Sequence, residues 1–251
     1  MLKRVQHDKK GKYVYKDVMR LTRLYIPDAE FAAGLAIHLN DDQSHYLLRV
    51  LRMEAGQEVV VFNASCGAWI GPLAVTGKKG AVALVAQIQK PQPVSDIWLV
   101  ASPLKKEAWD FVIEKATELG VAALRPALME FTQNTRVNEE RARANLIEAA
   151  QQCERTDVPE LFTVEKLGEI LRHWDRSRIL YVALERSDAQ PAMQVFDKTK
   201  PGAILIGPEG GFSPHEKELF LKYDFIKPVS LGPLVLRAET AAIAAFALWA
   251  A

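Results

Sequence analysis

Residues 203–222 read AILIGPEGGFSPHEKELFLK, and this stretch decides the fold. Ala203 to Ile206 is a short apolar run of the kind that fills a strand buried on both faces. It breaks at Gly207-Pro-Glu-Gly-Gly211, where glycine and proline end regular structure. Ser213 with Glu216 three residues on is a capping box, and Pro214 suits the first helical position. A helix from Pro214 to Lys222 follows. A strand, a glycine loop and a helix in direct succession are half of a β-α-β unit. Strands buried on both faces belong to parallel sheets covered by helices.

The same alternation extends in both directions. Upstream, Ile97–Ser102 reads as a strand. Lys106–Leu119 reads as a helix with Trp109, Val112, Ile113 and Ala116 at helical spacing and Gly120 as its C-terminal cap. Val121–Leu128 is a second strand, 138–155 a long helix stopped before Pro159, and Ile179–Leu184 a third strand. Downstream come a strand over Pro228–Leu231 and a final helix over Ala238–Ala251. The class is α/β, a mostly parallel sheet with helices on both faces. The last helix is apolar nearly all the way round, so it is expected to be buried on most sides, with a subunit interface as a natural place for it.

Before Lys90-Pro-Gln-Pro-Val-Ser95 the pattern changes, and the domain boundary falls there. Glu58–Phe62, Ala68–Val75 and Ala81–Ile88 read as short strands, with turn residues at 63–67 and 76–80, which suggests a small β-barrel. A helix from about Asp41 to Met53, capped by Asn40 or Asp41, interrupts it. His45, Arg49 and Arg52 fall at i, i+4 and i+7 and form one cationic stripe. It is either a solvated face or a contact for RNA phosphates.

Bulk composition narrows the class. With 49% hydrophobic and 25% charged residues the chain reads as globular. The longest apolar stretch, 241–251, is too short to span a bilayer, which takes roughly 20 residues. No secretory signal pattern opens the chain. Cys66 and Cys153 lie far apart without metal-ligand spacing, as expected of reduced thiols in the cytosol. Net charge is +1, but residues 1–25 gather Lys3, Arg4, Lys9, Lys10, Lys12, Lys16, Arg20 and Arg23 against Asp8 and Asp17. That segment is either a solvated tail or an arm that steers RNA.

In open α/β sheets ligands settle beyond the carboxyl ends of the strands. Two loops there are unusual. The loop at 207–211 lets its backbone approach a ligand closely, yet lacks the Gly-Lys-Ser/Thr ending of a phosphate loop and the G-x-G-x-x-G dinucleotide fingerprint. The segment Leu231-Gly-Pro-Leu-Val-Leu-Arg237 is apolar although connecting segments normally face water. It therefore wants core packing or a flat apolar ligand such as adenine. Arg237 opens the last helix, an unfavourable place for a cation on dipole grounds, which points to a task or to a salt bridge with Glu209 or Glu239.

The pair I-G-P-E-G-G (206–211) and L-G-P-L-V-L-R-A-E-T-A (231–241) resembles the ribosomal RNA small subunit methyltransferase E family of the SPOUT superfamily. Met19-Arg-Leu-Thr-Arg-Leu-Tyr25, H-Y-L-L-R-V-L-R (45–52), E-K-A-T-E-L-G-V (114–121) and E-A-A-Q-Q-C-E-R (148–155) are similar to further family segments. The resemblance spans 19–251. It implies a PUA-like RNA-binding β-barrel over 19–90 and a SPOUT methyltransferase domain over 91–251, with its C-terminal segment threaded into a trefoil knot. It also implies an obligate homodimer in the cytoplasm and S-adenosyl-L-methionine as cofactor. The implied product is N3-methyluridine in 16S rRNA, with the assembled small subunit as the expected substrate. No metal and no membrane partner are expected. Residues 1–18 precede the usual start and are expected to form a disordered extension. Gln151 stands where the family often has an acidic residue.

Carried onto this sequence, the resemblance places cofactor contacts at Leu184, Ile206, Gly207, Pro208, Glu209, Gly210, Leu231, Gly232, Leu234, Leu236, Arg237 and Thr240, mainly through backbone, with apolar side chains flanking adenine. Uracil N3 must lose a proton as it takes the methyl group, and the charge left behind needs a partner. Arg237 is the candidate for that charge. Glu209 accepts the proton, holds the cofactor, or is only a turn carboxylate. Thr240 caps the last helix or touches the cofactor. RNA contacts are expected from Arg20, Arg23, His45, Arg49, Arg52 and Arg155. Two other readings share the pattern: methylation of a different RNA nucleotide, and a non-catalytic RNA-binding assembly factor.

Overall fold

The computed structural model describes residues 6–7, 13–14, 21–92, 95–185 and 188–251. The chain divides into two compact units, 1–92 and 93–251. In the first, β1 (Gln6–His7) and β2 (Tyr13–Val14) pair antiparallel. The rest of the expected 1–18 extension lies outside the described residues, as does Arg20.

A second sheet runs in the order β3-β5-β6-β7-β4, with β8 also on β6. Its strands are β3 (Thr22–Tyr25), β4 (Ala36–His38), β5 (Glu58–Asn63), β6 (Gly67–Thr76), β7 (Lys79–Ala83) and β8 (Ala86–Gln89). Val59, Val61, Leu73 and Val82 point into one core with Leu24 and Leu47. The strand expected over 81–88 is two strands, because β6 is long enough to serve two partners. β7 pairs with Leu73–Thr76 and β8 with Ala68–Ile70. At the corner Leu84 leaves β6 and exchanges hydrogen bonds with Gly34 and Leu35. Gly71 is required there, since a Cβ on it would stand 1.9 Å from the Ala83 carbonyl oxygen.

The helix expected to reach Met53 is shorter and irregular. α1 (Asp41–His45) is capped by Asn40, whose side chain accepts from the Gln43 amide while Gln43 bonds back. The chain then widens into a π-turn over Tyr46–Val50, with the Leu51 amide reaching the Tyr46 carbonyl. Arg52 lies outside the helix with φ +54. His45, Arg49 and Arg52 are all exposed, and the helical spacing expected of the three is broken at Arg52, which lies past the helix end.

The second unit is a parallel sheet in the order β11-β10-β9-β14-β13-β15, with β12 also on β10. In chain order its elements are β9 (Ile97–Ala101), α2 (Lys106–Glu118), β10 (Ala123–Leu128), α3 (Glu139–Gln152), β11 (Glu160–Leu161), β12 (Glu165–Lys166) and α4 (Leu167–Arg172). β13 (Ile179–Ala183), α5 (Ala192–Val195), β14 (Gly202–Ile206), α6 (Pro214–Phe220), β15 (Ile226–Val229) and α7 (Ala238–Ala250) complete it. One core, with Val112, Ile113, Leu146 and Phe246, joins the sheet to α2, α3 and α7. The other, with Ile170, Leu171, Phe212 and Phe220, joins it to α4 and α6. The last strand sits two residues earlier than expected. Pro228 falls inside it, which an edge strand tolerates because one of its sides needs no amide donor. The strand order reverses direction between β9 and β14, the point where open α/β sheets place their ligand.

Candidate active site

Three loops leave the carboxyl ends of neighbouring strands β14, β13 and β15 and close around a cleft of about 660 Å³. The loop after β14 supplies Gly207, Pro208, Glu209, Gly210 and Gly211, with Ile206 at the strand end. The end of β13 and the residues after it supply Ala183, Leu184 and Glu185, and the segment after β15 supplies Leu231, Gly232, Leu234, Leu236 and Arg237. A cavity of this size lies within the range of small-molecule sites.

Glycine in the first loop has a steric reason. A Cβ on Gly207 would stand 3.1 Å from the Phe212 ring, and one on Gly210 would stand 3.1 Å from Phe131 Cβ. The loop therefore rests on two aromatic side chains. The Gly211 amide closes the turn on the Pro208 carbonyl at 2.8 Å, and the box expected at Ser213 and Glu216 starts α6. Glu209 is exposed at the rim.

Arg237 is the N-cap of α7, and its side chain makes no capping bond. The first intrahelical bond runs from the Ala241 amide to the Arg237 carbonyl. The amides of Ala238, Glu239 and Thr240 thus have no intrahelical partner, and Ala238 and Glu239 line the cleft. Neither salt bridge considered for Arg237 forms, with Glu209 or with Glu239. The cation and the positive end of a 13-residue helix act in the same direction, so this wall of the cleft favours negative charge. Thr240 is exposed and outside the cleft lining, and it does not cap the helix.

The profile of an RNA methyltransferase domain matches residues 90–250, and that of an RNA methyltransferase PUA domain matches 39–85. Ribosomal RNA small subunit methyltransferase E of Rickettsia conorii is 31% identical over 233 residues, covering 91% of this chain and 95% of the relative. The chain belongs to the ribosomal RNA small subunit methyltransferase E family. The Synechocystis member is 30% identical over 84% of this chain and 71% of its own. Among solved structures, a putative methyltransferase of Legionella pneumophila in complex with bound cofactor SAM is 30% identical with a TM-score of 0.80, covering 91% of this chain and 96% of that one. The Neisseria gonorrhoeae family member, at 24% identity and a TM-score of 0.78, shares the fold. The second unit is thus a SPOUT-type α/β methyltransferase domain, and a PUA-like domain precedes it.

Within this family fold several cleft residues carry no mark in the sequence: Lys105, Gln133, Glu185 and Lys217. Lys105 lies four residues beyond the end of β9 and Gln133 five beyond the end of β10, so the rule that ligands sit at strand carboxyl ends points to both loops. The composition of these two loops marks neither residue. Two residues expected at RNA are placed otherwise. Arg155 is 8% exposed. Its guanidinium donates to the carbonyls of Thr117 at 2.8 Å and Val121 at 2.9 Å and pairs with Asp157. Donors spent inside the protein are not offered to a phosphate, so Arg155 is a strut at the end of α3. Arg23 is also buried, its guanidinium 5.0 Å from the centre of the Phe62 ring and 3.4 Å from Gln89 Oε1. His45, Arg49 and Arg52 remain on the surface of the first unit.

Proposed function

We propose that this chain moves the methyl group of S-adenosyl-L-methionine onto N3 of a uridine in 16S ribosomal RNA, as a cytoplasmic homodimer acting on the assembled small subunit. The cleft at the carboxyl ends of β13, β14 and β15 carries the proposal. Its donor set suits this cofactor: Leu184, Ile206, Leu231 and Leu236 offer flat apolar flanks for adenine. Glu185 and Glu239 suit sulfonium and ammonium charge, and Lys105 suits a carboxylate. The names of the Rickettsia and Synechocystis relatives and the cofactor held by the Legionella protein support the reading.

When bound, the cofactor supplies an electrophilic methyl group. The residues of this chain must then hold N3 in line with it, take the N3 proton and balance the charge left on the uracil oxygens. Arg237 and the free amides of α7 do the last, and Glu209 accepts the proton. Pro208 and Gly232, with Leu234, complete the cofactor wall. The barrel over 19–90 grips RNA through His45, Arg49 and Arg52, while 91–251 carries the transfer and a C-terminal trefoil knot. A second copy covers the apolar segment at Leu234 and Val235, which are 76% and 53% exposed.

Mass spectrometry of small-subunit RNA from cells with and without this protein tests the proposal. One N3-methyluridine should vanish when the protein is absent. An unchanged modification pattern would remove the reading.

A further inference from the structure

We infer that Glu216 is a positioning residue for recognition of the target base, acting through the segment that brings Gln133 to the cleft. The inference rests on the methyl transfer proposed above. Glu216 is 6% exposed, and its two carboxylate oxygens are used differently. Oε2 accepts from the Ser213 amide at 2.9 Å, the local arm of the capping box. Oε1 accepts from the Glu130 amide at 2.9 Å, 86 positions away in sequence. A capping box needs only the first of these bonds. The second ties the start of α6 to the segment 129–133 that follows β10.

That segment is fixed from other directions as well. Thr132 Oγ1 accepts from the Met129 amide at 2.8 Å and lies 2.8 Å from Ser102 Oγ, at the end of β9. Phe131 packs against Gly210 of the glycine loop. The residue delivered by this bracing is Gln133, which lines the cleft. Its carboxamide carries both donor and acceptor capacity. Uracil presents carbonyl oxygens on both sides of N3, whereas cytosine presents an amino group at C4. A carboxamide N–H presented to the C4 side bonds the uracil oxygen there and meets only another donor in cytosine. Bracing at Met129, Glu130 and Thr132 fixes where the carboxamide enters the cleft, which a loose segment would leave variable.

The test uses the full chain, S-adenosyl-L-methionine and small-subunit particles lacking the modification. Glu216→Gln keeps shape and volume but turns an N–H toward one of two amides that need an acceptor. Its KM for particles should rise about tenfold, the scale of one lost charge-assisted bond, while the cofactor Kd stays within twofold of wild type. Ser213→Ala removes the hydroxyl that accepts from the Glu216 amide at 3.1 Å and leaves the long-range bond in place, so its KM should stay within twofold. Gln133→Ala, which disturbs no buried contact, should raise KM as Glu216→Gln does. The double variant should be no worse than Gln133→Ala alone, because one residue acts through the other. An unchanged KM in Glu216→Gln or Gln133→Ala, an equal rise in Ser213→Ala, or additive effects in the double variant would each overturn the inference. If Glu216→Gln does not fold, Gln133→Ala alone decides. A wild-type chain that methylates no particle would instead strike the function reading itself, and this inference with it.

Discussion

Replacing Arg237 with alanine separates fold, cofactor binding and chemistry. The side chain is exposed, makes no capping bond and enters no ion pair among the described residues. Its loss should change stability by no more than about 0.5 kcal/mol, as for other surface substitutions. Arginine and alanine are both poor N-caps, so α7 starts as well as before. The chemical effect is much larger. Removing one preorganised donor aimed at developing charge costs about 10²–10³ in kcat, or ~2.7–4 kcal/mol. Ala238 and Glu239, whose amides have no intrahelical partner, line the same cleft and retain part of the positive field, which places the expected loss near the lower limit, about 100-fold. Arg237→Lys should recover part of it, since the charge returns without the planar fork. Methyl incorporation into small-subunit particles at saturating cofactor reads kcat, calorimetry reads cofactor affinity, and a melting curve reports the fold. Turnover within threefold of wild type in a folded Arg237→Ala protein would take Arg237 out of the chemistry. A cofactor affinity reduced in proportion to the rate would make it a binding residue only.

Gly207→Ala should weaken cofactor binding about tenfold with little change in melting temperature, because a Cβ 3.1–3.3 Å from the Phe212 ring pushes the loop by a few tenths of an ångström into the cleft. Isothermal calorimetry checks it, and an unchanged Kd would mean that this loop does not touch the cofactor. Arg155→Ala removes the ion-pair partner of Asp157 and the guanidinium bonds to the Thr117 and Val121 carbonyls, and should cost about 3–5 kcal/mol. The melting temperature should then fall by roughly 10 °C, while the folded fraction binds RNA as before. Arg49→Ala should lower the salt dependence of RNA binding by roughly 0.7–0.9 in log–log slope, one phosphate contact. Arg23→Ala should leave that slope unchanged, since its guanidinium lies over Phe62.

How much of this was legible in the sequence depended on whether a signal was local. The Ser213 and Glu216 pair predicts a helix start, and the box is there, because capping involves atoms within four residues. The glycine loop and the apolar segment 231–236 stand out because their composition contradicts their position as connections, and both line the cleft. The two-residue strands β11 and β12 and the four-residue α5 are too short to show a period. The π-turn at Tyr46–Val50 is equally hidden. Its residues fit a regular helix by pattern, and tertiary packing decides where a helix widens.

Long-range placement is where sequence stops, and Arg155 and Gln133 show this in opposite directions. Arg155 reads as a cation available for phosphate, since side-chain type gives charge but not whether the donors are already used. The turn at Glu154, with φ +61, swings the chain back so that Arg155 reaches carbonyls at the end of α2. Gln133 lies in a segment of ordinary composition, yet the order β10-β9-β14 and a bond spanning 86 positions bring it to the same cleft as the glycine loop. Both outcomes follow from one cause. A parallel sheet gathers the carboxyl ends of strands far apart in sequence, so the loops that carry chemistry announce themselves while the residues that aim them do not. Glu216 belongs to both groups: one oxygen makes the capping bond a sequence reader expects, and the other makes a bond that only the folded sheet creates.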